Sequence, residues 1–357
     1  MARWPLAVLL VCILAGILVV NTARAVNVYA DYFVTLSARP LAMGGTGAAL
    51  PQSAGVFYNP AALASIRQLT LLYNHSARHF PGSREGGLRE WDQLDGDTEA
   101  IVVPLPLSTY AHGFTFSGEM GYDYRGHPEG GSLDYPREHY WGSEDYDALA
   151  ASFGLPLSAG IALRRSLGRF TPADDDPDGV AWLRHGEGTQ WGVLARVWPG
   201  LDYGHSELKL NYDWTVLDQP EEGRRALPAF GSKHLTERSG WALHPVGWLT
   251  LASDDVTERH IFDKHTDLGI GETVGLGRIH MGNEEILRTH RGGELSLGSL
   301  ARLRWGDYDG HPTWGLGLNM GGLWLNYAEV EGLLPKIVGT GRGFENVHIY
   351  GAEAALW

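Results

Sequence analysis

Cysteine is almost absent from this chain. The one cysteine among 357 residues is Cys12, inside the first apolar run. If that run is removed, the remaining chain can form no disulfide, zinc–thiolate cluster or cysteine nucleophile. Basic residues are also scarce, since 28 Lys and Arg face 42 Asp and Glu for a formal net charge of −14, and this balance argues against nucleic-acid binding. Glycine is plentiful, with 48 residues, and so is tryptophan, with 13.

The amino terminus has the pattern of a secretory signal peptide. Arg3 supplies a basic start, residues 6–20 form an apolar core, and Ala23-Arg24-Ala25 is a small-x-small cleavage site. A membrane anchor is the competing interpretation, but the run is shorter than the roughly 20 residues that a spanning helix needs. The sequence therefore predicts cleavage after Ala25 and export of the rest of the chain.

Apolar and polar residues alternate along several later segments. In 206–214 the apolar positions 208, 210, 212 and 214 alternate with Glu207, Lys209, Asn211 and Asp213, and 301–305 and 313–320 have the same period. A period of two indicates strands with one apolar side. Over about ten residues it is typical of transmembrane β-barrels, whose apolar residues face lipid and whose polar residues face the lumen. Several tryptophans lie in or beside these strands, where interfacial girdles would place them: Trp191, Trp198, Trp214, Trp305, Trp314 and Trp324.

The connections between these segments alternate between short turns and long loops, as in an up-and-down barrel. One short exception lies around Asp309-Gly310. We predict 14 strands, an even number that lets the barrel close with both termini on one side: 69–75, 98–105, 110–124, 148–155, 160–170, 189–198, 203–215, 239–243, 247–254, 289–296, 299–308, 312–320, 322–330 and 344–357. The predicted fold class is all-β, an antiparallel transmembrane β-barrel.

Two motifs near the amino terminus carry a family resemblance. Residues 37–49 read S-A-R-P-L-A-M-G-G-T-G-A-A and residues 53–63 read S-A-G-V-F-Y-N-P-A-A-L. The pair resembles the amino-terminal signature of the FadL-like outer-membrane proteins, including their PorV/PorQ branch. Further segments resemble the last strands of that family: 293–295, 303–308, 315–318 and 325–328. Ala62 stands where the family has a glycine, and Pro51-Gln52-Ser53 stands where it has an acidic pair, so the branch is left open.

The resemblance implies a 14-stranded barrel whose amino-terminal segment folds into the lumen as a plug, here called the hatch. The predicted division is a signal peptide at 1–25, the hatch at 26–66 and the barrel at 67–357. Glycines permit tight turns in a crowded lumen, and an Asn-Pro pair is a helix-start signal. A phosphate-binding loop is disfavoured because no strand-to-helix unit with Lys-Ser/Thr follows. The candidate hatch and ligand residues are Met43, Gly44, Gly45, Gly47, Asn59 and Pro60.

One acidic segment partly matches a calcium-binding loop. Asp174, Asp176 and Asp178 occupy positions 1, 3 and 5 of that pattern, but His185 stands at position 12, where a bidentate Glu is wanted. A solvated loop and a divalent-cation site both remain open.

Enzymatic motifs are lacking. His205 and Ser206 are adjacent on a predicted strand and so point to opposite faces, and no G-x-S-x-G elbow occurs. We therefore predict that the protein is not an enzyme and uses no cofactor.

Four arginines, Arg164, Arg165, Arg302 and Arg304, are expected to line the lumen, either balanced by acids or, in part, binding the carboxylate of an amphipathic ligand. The predicted function is passive transport of hydrophobic or amphipathic small molecules across the outer membrane of a Gram-negative cell. The alternative is a PorV-like surface scaffold that binds a secretion-system or surface protein through its long loops. The expected partners are outer-membrane lipid, lipopolysaccharide and the barrel-assembly machinery, with no nucleic acid.

Overall fold

A computed structural model describes residues 37–79, 93–117, 139–152, 156–171, 181–218, 229–262, 284–331 and 346–356. Its strands form one closed barrel in which each strand pairs antiparallel with its sequence neighbours and the first pairs with the last. The fourteen strands are β1 Leu69–His79, β2 Gln93–Pro104, β3 Thr109–Ser117, β4 His139–Ser152, β5 Leu157–Thr171, β6 Ala181–Trp198, β7 Leu201–Asp218, β8 Phe230–Val246, β9 Leu249–Phe262, β10 Glu284–Leu297, β11 Ala301–Tyr308, β12 His311–Asn319, β13 Leu323–Val330 and β14 Val347–Leu356. The predicted fold class and strand number are confirmed.

Three short helical segments precede β1. They are α1 (Ala38–Ala42), α2 (Gly55–Tyr58) and a 3-10 helix (Pro60–Ser65). Proline fits the first position of the 3-10 helix because the backbone N–H that it lacks would have no helical partner there. Among the described residues, no helix is long and apolar enough to cross a membrane.

Alternate residues of each strand face the lumen and the exterior. In β5, Ala162 is 1% exposed between Ile161 at 51% and Leu163 at 53%, and in β14 Ile349 is buried beside exposed Tyr350. The exposed members form an outward apolar surface: Leu71, Ile101, Leu149, Leu303, Trp305, Trp314, Leu318 and Leu325. Such a surface is what contact with a hydrocarbon layer requires.

The wall is uneven in height. β6 and β7 have 18 residues each, whereas β11 and β13 have 8. A tilted membrane strand needs only about 9–11 residues, so the longest strands extend beyond the apolar surface. The predicted strands 239–243 and 247–254 are therefore too short, because β8 and β9 continue through residues that are polar on both faces.

The predicted orientation of β7 is wrong. Leu208 and Leu210 face the lumen and are buried, while Glu207 and Lys209 are exposed on the exterior. The polar residues of β7 lie on the exterior of the barrel, where the strand extends beyond the apolar surface, and not on the lumen side. β11 and β12 have the predicted orientation, with Arg304 and Thr313 inside and Trp305 and Trp314 outside.

Candidate functional site: hatch and lumen

Residues 37–66, the described part of the hatch, lie inside the barrel. They contact lumen-facing residues of strands all round the wall, from Asn74 on β1 and Gly113 on β3 to Asp254 on β9 and Gly351 on β14. Almost the whole segment 37–64 is buried. A segment enclosed in this way fills the lumen at the end where the turns are short.

The glycine-rich turn of the hatch depends on backbone that only glycine adopts readily. Gly44 and Gly45 have φ values of +73° and +85°. A Cβ at Gly44 would lie 2.2 Å from the carbonyl oxygen of Arg291, and one at Gly292 would lie 2.2 Å from that of Met43. The hatch and wall backbones thus lie so close together that neither Gly44 nor Gly292 could carry a side chain.

Asp254 and Arg238 hold this turn from the wall. Asp254 Oδ2 accepts hydrogen bonds from the backbone N–H groups of Gly47, at 2.7 Å, and Ala48, at 2.9 Å. Arg238 donates to the Gly45 carbonyl at 2.8 Å and to Asp254 Oδ2 at 3.1 Å. Both wall side chains are buried, at 1% exposure for Asp254 and 8% for Arg238. The hatch backbone and Arg238 thus compensate the buried carboxylate through Oδ2, while Oδ1 has no hydrogen-bond partner among the described residues.

Two further wall residues bind Gly44. His290 Nδ1 donates to its carbonyl oxygen at 2.8 Å, and Thr313 Oγ1 accepts from its N–H at 3.0 Å. Thr313 also donates to the Ala42 carbonyl at 3.1 Å. The polar groups of the turn are therefore paired with β8, β9, β10 and β12.

Asn59 connects two parts of the hatch to β6. Its Nδ2 donates to the Ala48 carbonyl at 2.6 Å and to the Val193 carbonyl at 3.0 Å, while its Oδ1 accepts from Ala61 N. A Cβ at Gly160 of β5 would meet the backbone carbon of Pro60 at 2.5 Å. The Asn-Pro pair thus begins the 3-10 helix and fixes it against the wall.

An ion-pair network joins α1 to β10 and β11. Arg39 binds both carboxylate oxygens of Glu294 at 3.1 Å, and Arg304 binds the same carboxylate at 2.8 Å and Asn326 at 2.9 Å. Burial lowers the pKa of Arg39, but the Glu294 carboxylate more than offsets this and raises that pKa above its ordinary value. Arg304, one of the predicted lumen-lining arginines, is therefore paired with the buried Glu294 carboxylate.

The hatch meets β2–β5 through apolar contacts. Val56, Phe57 and Leu63 form one buried cluster with alanines and Val102 of the wall, including Ala100, Ala111, Ala148, Ala150 and Ala162. Phe57 meets the ring of Tyr146 edge-on, with centroids 4.9 Å apart. Small wall residues leave room for the larger hatch side chains.

The other predicted lumenal arginines differ in their surroundings. Arg164 faces the lumen, donates to Glu144 and lies over the Tyr146 ring, and Arg302 lies over Trp324 at 4.1 Å. Arg165 faces the exterior and pairs with Asp147, so its predicted lumenal position is wrong, because it is the sequence neighbour of Arg164 on a strand.

Two of the six girdle tryptophans also face inward. Trp214 lies below the guanidinium of Arg184 and Trp324 below that of Arg302. Both are therefore wrongly placed by the girdle prediction, whereas Trp191, Trp305 and Trp314 are exposed on the exterior.

The predicted metal residues Asp174, Asp176 and Asp178 lie outside the described residues. Within the described ranges, no group of three or more His, Cys, Asp or Glu side chains could hold a metal ion. His205 and Ser206 point to opposite faces, since His205 bonds Ser239 outside and Ser206 bonds the Tyr58 carbonyl inside.

The wall residues that bind the hatch were not found from the sequence. Asp254, Arg238, His290 and Thr313 lie more than 190 residues from the turn that they hold. Each is polar at a lumen-facing position, but so are many others. Only the strand pairing of the closed barrel shows which of them reach the glycine-rich turn of the hatch.

Comparison with solved structures identifies the same architecture in transporters. The Ralstonia pickettii toluene transporter TbuX matches with a TM-score of 0.60 and 13% identity, covering 91% of this chain and 100% of that one. The P. putida toluene transporter TodX matches with a TM-score of 0.58, 12% identity and coverages of 91% and 99%. A Pseudomonas aeruginosa FadL homologue matches with a TM-score of 0.52, 14% identity and coverages of 90% and 99%. No family model matches, and no curated protein matches.

At these identities the comparisons establish architecture and leave the solute open. The matches cover about nine-tenths of the chain. The chain has the fold of the FadL-like outer-membrane barrels.

Proposed function

We propose that this protein lets hydrophobic or amphipathic small molecules pass the outer membrane passively, without covalent chemistry. The observation that carries the proposal is a closed barrel filled by an internal hatch, on the fold of solved toluene transporters. A scaffold needs no removable plug, whereas a transporter of selected solutes does.

The route runs past the hatch. The strand ladders between neighbouring strands are continuous through the described residues, so a solute that enters the lumen meets α1, α2 and the 3-10 helix. The interface with β2–β5 is lined by Phe57, Leu63 and wall alanines. Passage of an apolar solute there breaks none of the hatch–wall ion pairs described above, which makes this interface the least costly to open.

Location and assembly form part of the same proposal. An exported chain with an outward apolar surface is suited to the outer membrane, where it would contact lipid and lipopolysaccharide and be inserted by the barrel-assembly machinery. The PorV-like scaffold stays an alternative without support from the matches above, and its long loops lie outside the described residues.

Uptake measurements test transport. Expression in an outer membrane that lacks hydrocarbon and fatty-acid transporters should raise the uptake of toluene or a long-chain fatty acid. Unchanged uptake, with the protein folded and a secreted protein co-purifying, would favour the scaffold.

Engineered disulfides test the route. In V56C/G113C, a Cβ at residue 113 would lie 3.2 Å from the Cγ1 position of Val56 and 2.8 Å from the Phe57 ring, so a bond should join α2 to β3 once that ring shifts. Cys12 lies in the predicted signal peptide, so no other cysteine interferes. We expect oxidation to block uptake and reduction to restore it.

The matched tether is A38C/G351C, with 3.3 Å between Cβ positions, and the Asn74 side chain that binds Ala38 N must shift to admit the new Cβ. This second tether should leave uptake unchanged. Equal inhibition by both would refute a route beside α2.

A further inference from the structure

A cationic and aromatic group of side chains lies in the lumen on β4–β7, on the long-loop side of the hatch. This group, here called the vestibule layer, consists of Glu144, Tyr146, Arg164, Arg184, Tyr212 and Trp214. We infer that the vestibule layer binds aromatic carboxylates, so that the transported solutes are aromatic acids of the benzoate class. The inference rests on the proposed transport function and names its substrate class.

The layer is continuous across four strands. Tyr146 is the cross-strand partner of Arg164, whose guanidinium carbon is 4.9 Å from the Tyr146 ring centroid. Gly186 pairs with Tyr212, and a Cβ there would lie 2.6 Å from the Tyr212 ring. The glycine thus lets the Tyr212 ring lie across β6 toward β5. Arg184 lies over the rings of both Tyr212, at 4.6 Å, and Trp214, at 5.6 Å.

The layer brings two guanidinium groups, Arg164 and Arg184, together with one carboxylate, Glu144, in a chain whose formal net charge is −14. Low-dielectric walls strengthen the attraction of such a group for an anion. An uncharged hydrocarbon lacks the charge that this group attracts and must pass polar groups that it cannot hydrogen-bond.

Arg164 has a donor left for a ligand. Its Nη2 donates to Glu144, while its Nε has no hydrogen-bond partner among the described residues. The side chain is 16% exposed, so it is reachable from the lumen. The planar guanidinium fork suits a carboxylate, and the partly exposed rings of Tyr212 and Trp214 offer faces and edges to an aryl group.

The hatch lies directly below the vestibule layer and contacts it through Phe57. Phe57 contacts Tyr146 edge-on at 4.9 Å, and Tyr146 and Arg164 share the Glu144 carboxylate. Tyr146 itself is fully buried, so a ligand seated on Arg164 is separated from Phe57 of α2 by one ring, at the interface proposed to open.

Three probes of similar size separate charge from aromaticity. Benzoate has both, cyclohexanecarboxylate has the charge alone and toluene has the ring alone. Equilibrium binding and vesicle uptake with the full-length protein in liposomes should show benzoate bound at least tenfold more tightly than either other probe. Equal binding of toluene and benzoate would overturn the inference.

R164Q should weaken benzoate binding about tenfold and change toluene uptake less than twofold. The matched control is R165Q, the same substitution one residue later on the outward face, where Arg165 pairs with Asp147; it should leave benzoate binding unchanged. E144Q/R164Q removes both members of the ion pair and should show the same loss if R164Q alone fails to fold. Loss in R165Q equal to that in R164Q would also overturn the inference.

The outcomes separate this inference from the proposed transport function. If no probe enters vesicles that contain the folded chain faster than it enters protein-free vesicles, transport itself fails. If the chain accelerates toluene entry and benzoate has no advantage, transport stands and the vestibule layer has no role in selection.

Discussion

The two sides of the interface between hatch and wall differ in chemistry. On β6–β12, here the polar side, hydrogen bonds with Asp254, Arg238, His290 and Thr313 add to an apolar cluster that contains Met43 of the hatch and Leu194 of β6. On β2–β5, the apolar side, the hatch presents Phe57 and Leu63 to small wall residues. Every hatch–wall hydrogen bond described above lies on the polar side or on β1.

This difference separates positioning from movement. Hydrogen bonds are directional and short-ranged, so the polar side fixes one register of the hatch. Apolar contacts are non-directional, so the apolar side excludes solute without specifying a single geometry. A plug anchored on one side and only packed on the other can open without losing its place.

The largest effect is expected from breaking the polar side. D254A removes the acceptor for Gly47 and Ala48 and leaves Arg238 buried without its carboxylate. We expect a loss of about 3–5 kcal/mol in the free energy of unfolding, measured by urea denaturation in lipid vesicles.

The control for D254A is E285A, which removes the acid of the exposed pair Arg259–Glu285. An exposed pair contributes only about 0–1 kcal/mol. Similar losses in both variants would contradict the anchoring role of the polar side.

An intermediate effect is expected on the apolar side. F57A deletes the edge contact with Tyr146 and leaves a space in the buried cluster, at a cost of about 3 kcal/mol. Because no ion pair is broken, toluene uptake should rise while the hatch keeps its register. L107A, at an 88% exposed turn residue, is the control and should change neither quantity. Reduced uptake in F57A would show that the apolar side is not the route.

The smallest effect tests the close backbone approach on the polar side. In G204A the new Cβ would lie 1.8 Å from the carbonyl oxygen of Ala48, whereas in G247A it would meet nothing within 4 Å. Overpacking of this kind costs about 1–3 kcal/mol, so thermal denaturation should separate the two alanine variants. Equal midpoints would mean that the hatch moves aside at no cost.

The sequence predicts the wall better than the interior. Strand number follows from alternation and from turn spacing, because the membrane requires one apolar face on each strand over a fixed length. That constraint ends where β8 extends beyond the apolar surface. The predicted strand 239–243 therefore lacks residues 230–238, which belong to β8. The predicted orientation of β7 is inverted because alternation alone does not show which face is outside.

The hatch was predictable in position but not in its partners. Gly44, Gly45, Asn59 and Pro60 stand out from the chain as turn and helix-start residues, and the structure places all four against the wall. Asp254 carries no such signal, since Asp255 beside it has the same side chain on the opposite face. Which acid faces the lumen depends on the register of the whole barrel.

The seam between β1 and β14 sets the order in which the molecule can be assembled. Its pairs run from Leu69 with Leu356 to Arg78 with Val347, and Asn74 and Gly351 on either side of it touch Ala38. The first described segment of the chain is therefore enclosed by β14, the last described strand. Pairing of β14 with β1 closes the wall and encloses the hatch in the same step, so a chain without β14 can do neither.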